Sequence, residues 1–482
     1  MNLRPVLRIL GRLLLILALA EALPALCGMV YGEREDALAF LLASLTTAAV
    51  GGLFALLGRG GGELFRREGI LIVVGGWALA SLFGALPYLW TDTLASPVDA
   101  LFESASGFTT TGASVLTDIE GQGRAVLFWR SFTQWLGGMG IIVLFVALLP
   151  EIVPGARFLF KLEVPGPTAE ALHPRVRDTA IVLWQIYLSF TLAETVALMA
   201  AGLDLYDALT HTFSTLSTGG FSPYNASVAA FASPWVESIV IVFMVLAGIN
   251  FSLFYALRRG AGRLLLRDPE LRVYLLLIGV VAAVIASDLL ASGTYRQPGR
   301  AVLDALFQVA SLLTTTGFAT ADFDTWPLLS RMLLVSAMFV GGCAGSTAGS
   351  MKVSRMLIGL KFALREVRLV FSPNLVRGVF LGGKPVPESV VRSVSGFFIL
   401  FMTSWGVGAL LLAIGGQGML TAATASIATL GNIGPGLEAV GPIRNYAHFD
   451  ALQKLLMVFL MWLGRLEVYA IAAVVTFGFW RK

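Results

Sequence analysis

Three stretches of this chain repeat one residue pattern at one interval. DALFESASGFTTTGA (residues 99–113), DALTHTFSTLSTGGF (207–221) and DALFQVASLLTTTGF (304–318) each open on Asp-Ala-Leu. Each reaches an aligned glycine thirteen positions later: Asp99 to Gly112, Asp207 to Gly220, Asp304 to Gly317. The first and third are identical at 10 of the 14 positions from that aspartate to that glycine. A diverged fourth, TAATASIATLGNIGP (421–435), sets Thr421 thirteen residues before Gly434. Hydroxyl-rich turns carrying glycine have a specific chemical use. Glycine enters backbone geometries that a Cβ disfavours, so successive carbonyls can all face one way. Four such turns around one axis make a ring of oxygens that replaces a cation's hydration shell.

The elements that must position such turns follow from the same segments. Asp or Thr at the start of each unit is a good helix N-cap. About nine helix-compatible residues come next, spanning roughly 14 Å at ~1.5 Å each, about half of a ~30 Å hydrocarbon core. Each unit is therefore expected to enter a membrane and turn back, which irregular backbone tolerates only where protein buries it or water bathes it. The short helices aim their partly negative C-terminal ends at the axis, which also favours a cation. An amphipathic outer loop with ordinary caps would explain one unit, but not three at one interval, each between two spanning segments.

Composition supplies the membrane. Of 482 residues, 57% are hydrophobic and 13% charged, about half the charged share of a soluble protein, with mean hydropathy +0.81. Soluble, disordered, collagenous and disulfide-rich classes are excluded. Ten apolar spans are expected near 11–31, 37–57, 69–90, 125–149, 179–202, 234–257, 272–291, 326–360, 390–414 and 450–480. The N-terminal run has a basic flank but continues to about Val30 without a clear cleavage site, so it reads as a retained first helix and not a removed signal peptide.

Connecting segments alternate in charge. One side collects Arg4, Arg8, Arg12, Arg59, Arg66, Arg67, Arg157, Lys161, Arg175, Arg177, Arg258, Arg259, Arg263, Arg267, Arg272, the basic residues from Lys352 to Arg392, Arg481 and Lys482. The other holds Asp92, Asp118, Glu120, Asp204, Glu237, Asp322 and Asp324. The positive-inside rule puts both termini in the cytoplasm. The expected architecture is an all-α polytopic membrane protein: an N-terminal pair of transmembrane helices (1–68), then helix–pore loop–helix repeats over 69–150, 151–258, 259–389 and 390–482, arranged around one central pore.

Other candidates are fewer. GGCAGSTAGS (341–350) interrupts the long span 326–360 with four glycines in ten residues. It reads either as a broken helix or, since Gly341, Gly345 and Gly349 are four apart, as a small-residue packing face. Arg465 sits midway along the last span, where charge is costly, and Glu467 is on a different helix face. Glu103 reads as a brace for the first short helix, and Glu194 as a buried carboxylate available to proton coupling. Asp118, Glu120, Asp322 and Asp324 follow the turns, either concentrating cations there or serving as ordinary loop charges. Cys27, Cys343, His173, His211 and His448 form no metal spacing, and no Walker A or dinucleotide fingerprint is present. An integral-membrane enzyme would need a nucleophile–base pair or metal ligands at depth, and none is assembled. The chain reads as a transporter with no nucleic-acid partner.

Beyond the repeat itself, specific motifs carry a resemblance: WRSFTQWLGGMGIIVLFVALLP (129–150), LSTGGFS (216–222), LAGINFSL (246–253), LTTTGF (313–318), GGCAGSTAGSMK (341–352), GNIGPG (431–436) and LGRLE (463–467). Together they resemble the superfamily of K+ transporters that includes the TrkH, KtrB and plant HKT proteins, and within it the TrkH branch, which has an extra N-terminal helix pair. Carried over by motif, the resemblance implies a selectivity filter at Thr109, Thr110, Thr111, Gly112 and Ala113; Ser217, Thr218, Gly219, Gly220 and Phe221; Thr314, Thr315, Thr316, Gly317 and Phe318; and Gly431, Asn432, Ile433, Gly434 and Pro435. K+ would be held at Thr110, Thr111, Thr218, Gly219, Thr315, Thr316, Asn432 and Ile433. In HKT relatives a serine at the first aligned glycine goes with Na+ preference, so four glycines imply K+. The fourth turn departs from the Thr-rich pattern, and its register is open.

The resemblance also implies a gate at Gly341, Gly342, Cys343, Ala344, Gly345, Ser346, Thr347, Ala348, Gly349, Ser350 and Lys352, with Arg465 below the filter as a barrier to permeation. A structural ion pair to another helix is the alternative for Arg465. It implies a homodimer in a bacterial cytoplasmic membrane, regulated by a cytoplasmic RCK-type, TrkA-like ring that binds ATP, ADP or NAD on the partner only. Docking would fall on the basic loops, whose charges anionic lipid explains equally well. A symporter driven by H+ or Na+ is the alternative mechanism.

Overall fold

The computed structural model describes residues 2–60, 64–140, 176–372 and 378–480. Two long helices, Leu3–Tyr31 and Arg34–Leu57, open the chain. Gly32 turns between them at φ +83°, the left-handed conformation of a helix C-cap. Their close approach depends on small residues: a Cβ on Gly11 would meet the backbone of Ala55 and Gly51, and one on Gly58 the backbone of Arg8. The first helix also packs on Arg66–Phe83 and Arg124–Gly138, burying Leu14, Leu17 and Ala25.

Four units of one plan follow. Each has an apolar helix, a short helix, an extended return and a second helix. The first helices are Arg66–Phe83, extended by Leu86–Trp90, then Val176–Ala200, Pro269–Ala291 and Glu388–Ile414. The short helices are Pro97–Phe108, Leu205–Leu216, Pro298–Leu313 and Met419–Leu430. At 12, 12, 16 and 12 residues they are too short to cross a ~30 Å core. They are almost wholly buried from their middles to their C-terminal ends. The core around them is aromatic: Phe40 and Phe108 both meet Trp129 edge-on, with ring centroids 6.2 and 6.0 Å apart.

The repeat aspartates are not the N-caps. Ser96 and Asp204 cap the first two short helices, accepting from the Asp99 and Asp207 backbone N–H groups, while Gln297 and Gly418 precede the other two. Asp99, Asp207 and Thr421 lie in the first turn, and Asp304 a turn further along. Each ties its helix to an outer segment instead: Asp99 to Lys454 (2.6 Å), Asp207 to the Tyr224 hydroxyl (2.7 Å), Asp304 to Thr320 (2.8 Å) and Thr421 to Glu438 (3.0 Å).

The second helices do not run straight through. Six helices among the described residues are long and apolar enough to cross a membrane, or seven if one bent pair is a single span. The expected span 234–257 is that pair, Pro234–Ala247 and Phe251–Arg258, bent by 92°. The span 326–360 is Leu328–Val340 and Val353–Phe371 separated by a non-helical stretch, and 450–480 breaks between Ala451–Arg465 and Tyr469–Val475. Arg124–Gly138 ends at Gly138, and residues 141–149 of the expected span 125–149 lie outside the described residues, as do Arg157, Lys161, His173, Arg175, Arg481 and Lys482. The described residues are all-α as expected, apart from one small antiparallel hairpin, Val379–Leu381 with Lys384–Val386, turning at Gly382 and Gly383 with φ +59° and +79°.

Candidate functional site

The four returns meet in a closed ring. A Cβ built on Gly112 would collide with the Gly219 carbonyl, one on Gly220 with the Thr316 carbonyl, and one on Gly317 with the Ile433 carbonyl. One on Gly434 would come within 2.8 Å of the Thr111 carbonyl. Each glycine thus leans on the residue just before the aligned glycine of the next turn, and the fourth closes on the first. The glycines have φ of +79°, +79°, +83° and +98°, a region that costs an L side chain roughly 1–3 kcal/mol. Two positions earlier, Thr110, Thr218, Thr315 and Asn432 also have positive φ, between +54° and +59°. The residue between donates its N–H five residues back, to Ser106, Ser214, Ser311 and Ala428, each time at 2.8 Å. That geometry sets residues 431–435 in register with the other three turns.

Side chains behind the ring fix it. Glu103, four residues into its repeat, accepts from Ser114 (2.9 Å), the Val115 N–H (2.9 Å) and Arg130 (2.8 Å). Arg130 also donates to the Ser222 carbonyl at 3.1 Å and lies 4.1 Å over the Phe221 ring. At the equivalent positions His211 meets Ser222 (3.1 Å) and Gln308 meets Thr320 (3.4 Å). Gln134 bridges the second turn, donating to the Gly219 carbonyl at 2.7 Å and accepting from the Phe221 N–H at 3.0 Å. In the fourth, Asn432 donates to the Thr111 hydroxyl at 3.0 Å and the Tyr446 hydroxyl donates to the Gly434 carbonyl at 2.7 Å.

The outer rim closes in the same order. Asn225 donates to Glu120 (3.0 Å), Ala229 to the Ala319 carbonyl (3.2 Å), Glu438 to Asp324 (3.1 Å) and Tyr446 to the Ser114 carbonyl (2.8 Å), all from backbone N–H groups. Asp118 accepts from the Gly121 N–H and Asp322 from the Asp324 N–H. These acidic residues cap and link loops.

Beneath the ring lie the interruption at 341–352 and the break at Arg465. Gly349 donates its N–H to the Thr315 hydroxyl at 2.6 Å, and a Cβ on it would strike the Gly431 carbonyl. Cys343 donates to the Gly248 carbonyl at 2.8 Å, and Gly345 accepts from the Phe251 N–H at 3.0 Å, so the stretch is seated on the bend of the second unit. Lys352, buried at φ +74°, folds back onto the Ala348 carbonyl. Arg465 donates to the Thr110 hydroxyl (3.1 Å) and to the Thr347 (3.1 Å) and Gly138 (2.9 Å) carbonyls, with its guanidinium 5.7 Å from the Trp77 ring. Glu467 pairs with Arg355 instead. A cavity whose lining includes Gly138, Ser346, Gly349, Lys352, Asn432 and Arg465 lies here.

Residues 39–477 match the family model TrkH, described as a cation transport protein. The chain belongs to the TrkH family. It is 39% identical over 486 residues to the Trk system potassium uptake protein TrkH of Halomonas elongata, and 36% to that of Escherichia coli, over the full length of each chain. It also superposes on the crystal structure of the potassium transporter TrkH from Vibrio parahaemolyticus with a TM-score of 0.90 at 36% identity, covering both chains entirely.

In this TrkH-family chain the motif-derived residues converge: four turns in one ring, with the 341–350 stretch, Lys352 and Arg465 under it. Gln134, Arg130, Trp77 and Tyr446 were not anticipated. Gln134 and Arg130 had a signal, being polar residues inside the apolar run WRSFTQWLGG. No group of three or more His, Cys, Asp and Glu side chains suited to a metal ion occurs among the described residues.

Proposed function

We propose that this chain is the membrane subunit of a Trk-type potassium uptake system, carrying K+ through a selective, gated pore in a bacterial cytoplasmic membrane. The observation that carries the reading is the closed ring of glycine-to-carbonyl contacts, Gly112–Gly219, Gly220–Thr316, Gly317–Ile433 and Gly434–Thr111. Four backbone turns at the C-terminal ends of four short helices supply oxygens to a dehydrated cation, and the negative ends of those helices favour it. Residues 109–113, 217–221, 314–318 and 431–435 form the filter, with K+ at the positions named above. The Gly219 carbonyl offers one lone pair fewer because Gln134 occupies it. Residues 341–350, Lys352 and Arg465 form the gate below.

The pore is built by the repeats over 69–150, 151–258, 259–389 and 390–482, with both termini cytoplasmic. Two copies pair as a homodimer, each with its own pore. A separate cytoplasmic RCK-type, TrkA-like ring, the component that binds nucleotide, docks on the basic loops. The relatives' names describe uptake proteins, which supports transport and not catalysis.

The test is Rb+ flux into proteoliposomes with Na+ competition, for wild type and Gly112→Ser. Expected is K+/Rb+-selective flux in the wild type and reduced discrimination against Na+ in the variant. Selectivity that ignores substitution at all four ring glycines overturns the assignment. A symporter would draw on buried carboxylates such as Glu21 and Glu194, both fully shielded from solvent. Rb+ accumulation driven by a pH or Na+ gradient alone would establish that reading.

A further inference from the structure

We infer that Glu270 is the latch that holds the candidate gate shut and ties it to the cytoplasmic basic segment before it. The inference rests on the gate reading of residues 341–350. Glu270 is buried at 8% exposure. One of its oxygens, Oε1, accepts the Ala344 N–H at 2.7 Å and the Ser354 N–H at 2.9 Å. Ala344 is early in the non-helical stretch and Ser354 is just past its end, so a single carboxylate grips both sides of the interruption.

The second of these contacts replaces something the sequence omits. Helix Val353–Phe371 begins after Lys352, which stands at the N-cap with no side-chain cap hydrogen bond. A helix leaves its first backbone N–H groups without internal partners, and Ser354 carries one of them. Glu270 satisfies it from another helix, and its charge complements the positive end of the dipole. Both bonds are charge-assisted, the stronger class.

The position of Glu270 in the chain gives the contact a direction. It is the second residue of helix Pro269–Ala291, whose cap Asp268 accepts the Leu271 N–H at 2.8 Å. Immediately before that cap lie Arg258, Arg259, Arg263 and Arg267. Other tethers of the stretch reach it from inside the bundle: Gly248 to Cys343, Phe251 to Gly345, and Arg465 to Thr347. Glu270 reaches it from the first turn after the basic segment. A displacement of about an ångström there stretches both bonds beyond hydrogen-bond range. A cytoplasmic partner pulling on this segment would thereby release the gate without entering the membrane. Glu270 is a positioning residue and touches no permeating ion.

The chain supplies its own reporter. Cys343 adjoins Ala344, is 1% exposed, and is one of two cysteines. In a full-length Cys27→Ser background it is the sole thiol. Two quantities are measured for the background, Glu270→Ala and Glu270→Gln: Rb+ flux in proteoliposomes, and the labelling rate of Cys343 by a membrane-impermeant methanethiosulfonate in inside-out vesicles. Glu270→Ala is expected to raise both by at least about tenfold, the population shift that losing a charged acceptor for buried N–H groups supports. Glu270→Gln keeps an acceptor oxygen without the charge and falls between. Faster labelling with unchanged flux upholds the latch and overturns the gate reading of 341–350. Labelling at the background rate overturns the latch, whatever the flux. If Glu270→Ala fails to give a monodisperse protein, Glu270→Gln labelling at the background rate overturns it alone.

Discussion

The Arg465 guanidinium donates to the Thr110 hydroxyl at 3.1 Å, joining the break in the last long helix to the underside of the first turn. Its described acceptors are a hydroxyl and carbonyl oxygens. A fixed positive charge ~5 Å from a cation opposes it by roughly 3 kcal/mol at an effective dielectric of ~20. Arg465→Ala should therefore raise basal Rb+ flux by at least about tenfold, and Arg465→Lys, which keeps charge but loses the planar fork, by less. A variant that melts several degrees lower with no gain in flux would mean the residue only braces the break.

The ring glycines are not equal. A Cβ on Gly112, Gly220 or Gly317 runs into the neighbouring carbonyl, whereas on Gly434 the same contact is 2.8 Å. All four positions carry the cost of positive φ and all four crowd a ring carbonyl, but the first three approach it more closely and must displace it further than Gly434 does at 2.8 Å. Alanine at Gly434 is expected to retain more K+ over Na+ selectivity than alanine at the other three. Competition assays on the four single variants give the ranking; Gly434→Ala as the most damaging of the four would contradict it.

Much of this site was legible because the repeat is a spacing, and spacing survives in sequence. The thirteen-residue interval located all four turns, and the glycine density of 341–350 marked the largest interruption. The misreading of Asp99, Asp207 and Asp304 as caps has a plain cause: a carboxylate in the first turns of a helix satisfies the same local preferences as one that caps it. Only tertiary contacts with Lys454, Tyr224 and Thr320 distinguish the roles. The breaks at Ala247 and Arg465 were hidden for a related reason. LAGIN and LGRLE sit inside apolar runs that hydropathy scores as continuous, and their broken backbones are completed by partners a hundred or more residues away, such as Thr347 to the Ala247 carbonyl.

Arg130 and Glu103 form an ion pair with side chains 1% and 0% exposed, 2.8 Å apart. Removing one partner from such a pair leaves an uncompensated buried charge and costs ~3–5 kcal/mol. Arg130→Met should lower the melting temperature and, because Arg130 also holds the Ser222 carbonyl, loosen the second turn as well as the first. Adding Glu103→Gln removes the stranded charge and should recover part of the loss. A double variant as unstable as the sum of the singles would show that the pair is not coupled.

His448 gives a pH prediction outside the spans. Its ring lies 4.2 Å from that of Phe449. Partial burial, reinforced by the Lys454 ammonium and partly offset by a backbone contact to Asn445, holds its pKa below the usual 6.5. The folded state thus takes up its proton later than the unfolded chain does. The contribution to stability is complete above about pH 6.5 and is lost as pH falls from there through the folded-state pKa. The chain has three histidines, so a 13C-histidine label gives three resolvable titrations, with His448→Gln assigning the one in question. The expected midpoint lies below about 6.5 and moves up toward it in Lys454→Met. A midpoint at or above that value would show that Phe449 and Lys454 do not govern this ring, and with it that the segment carrying Tyr446 to the Gly434 carbonyl is not weakened by acid.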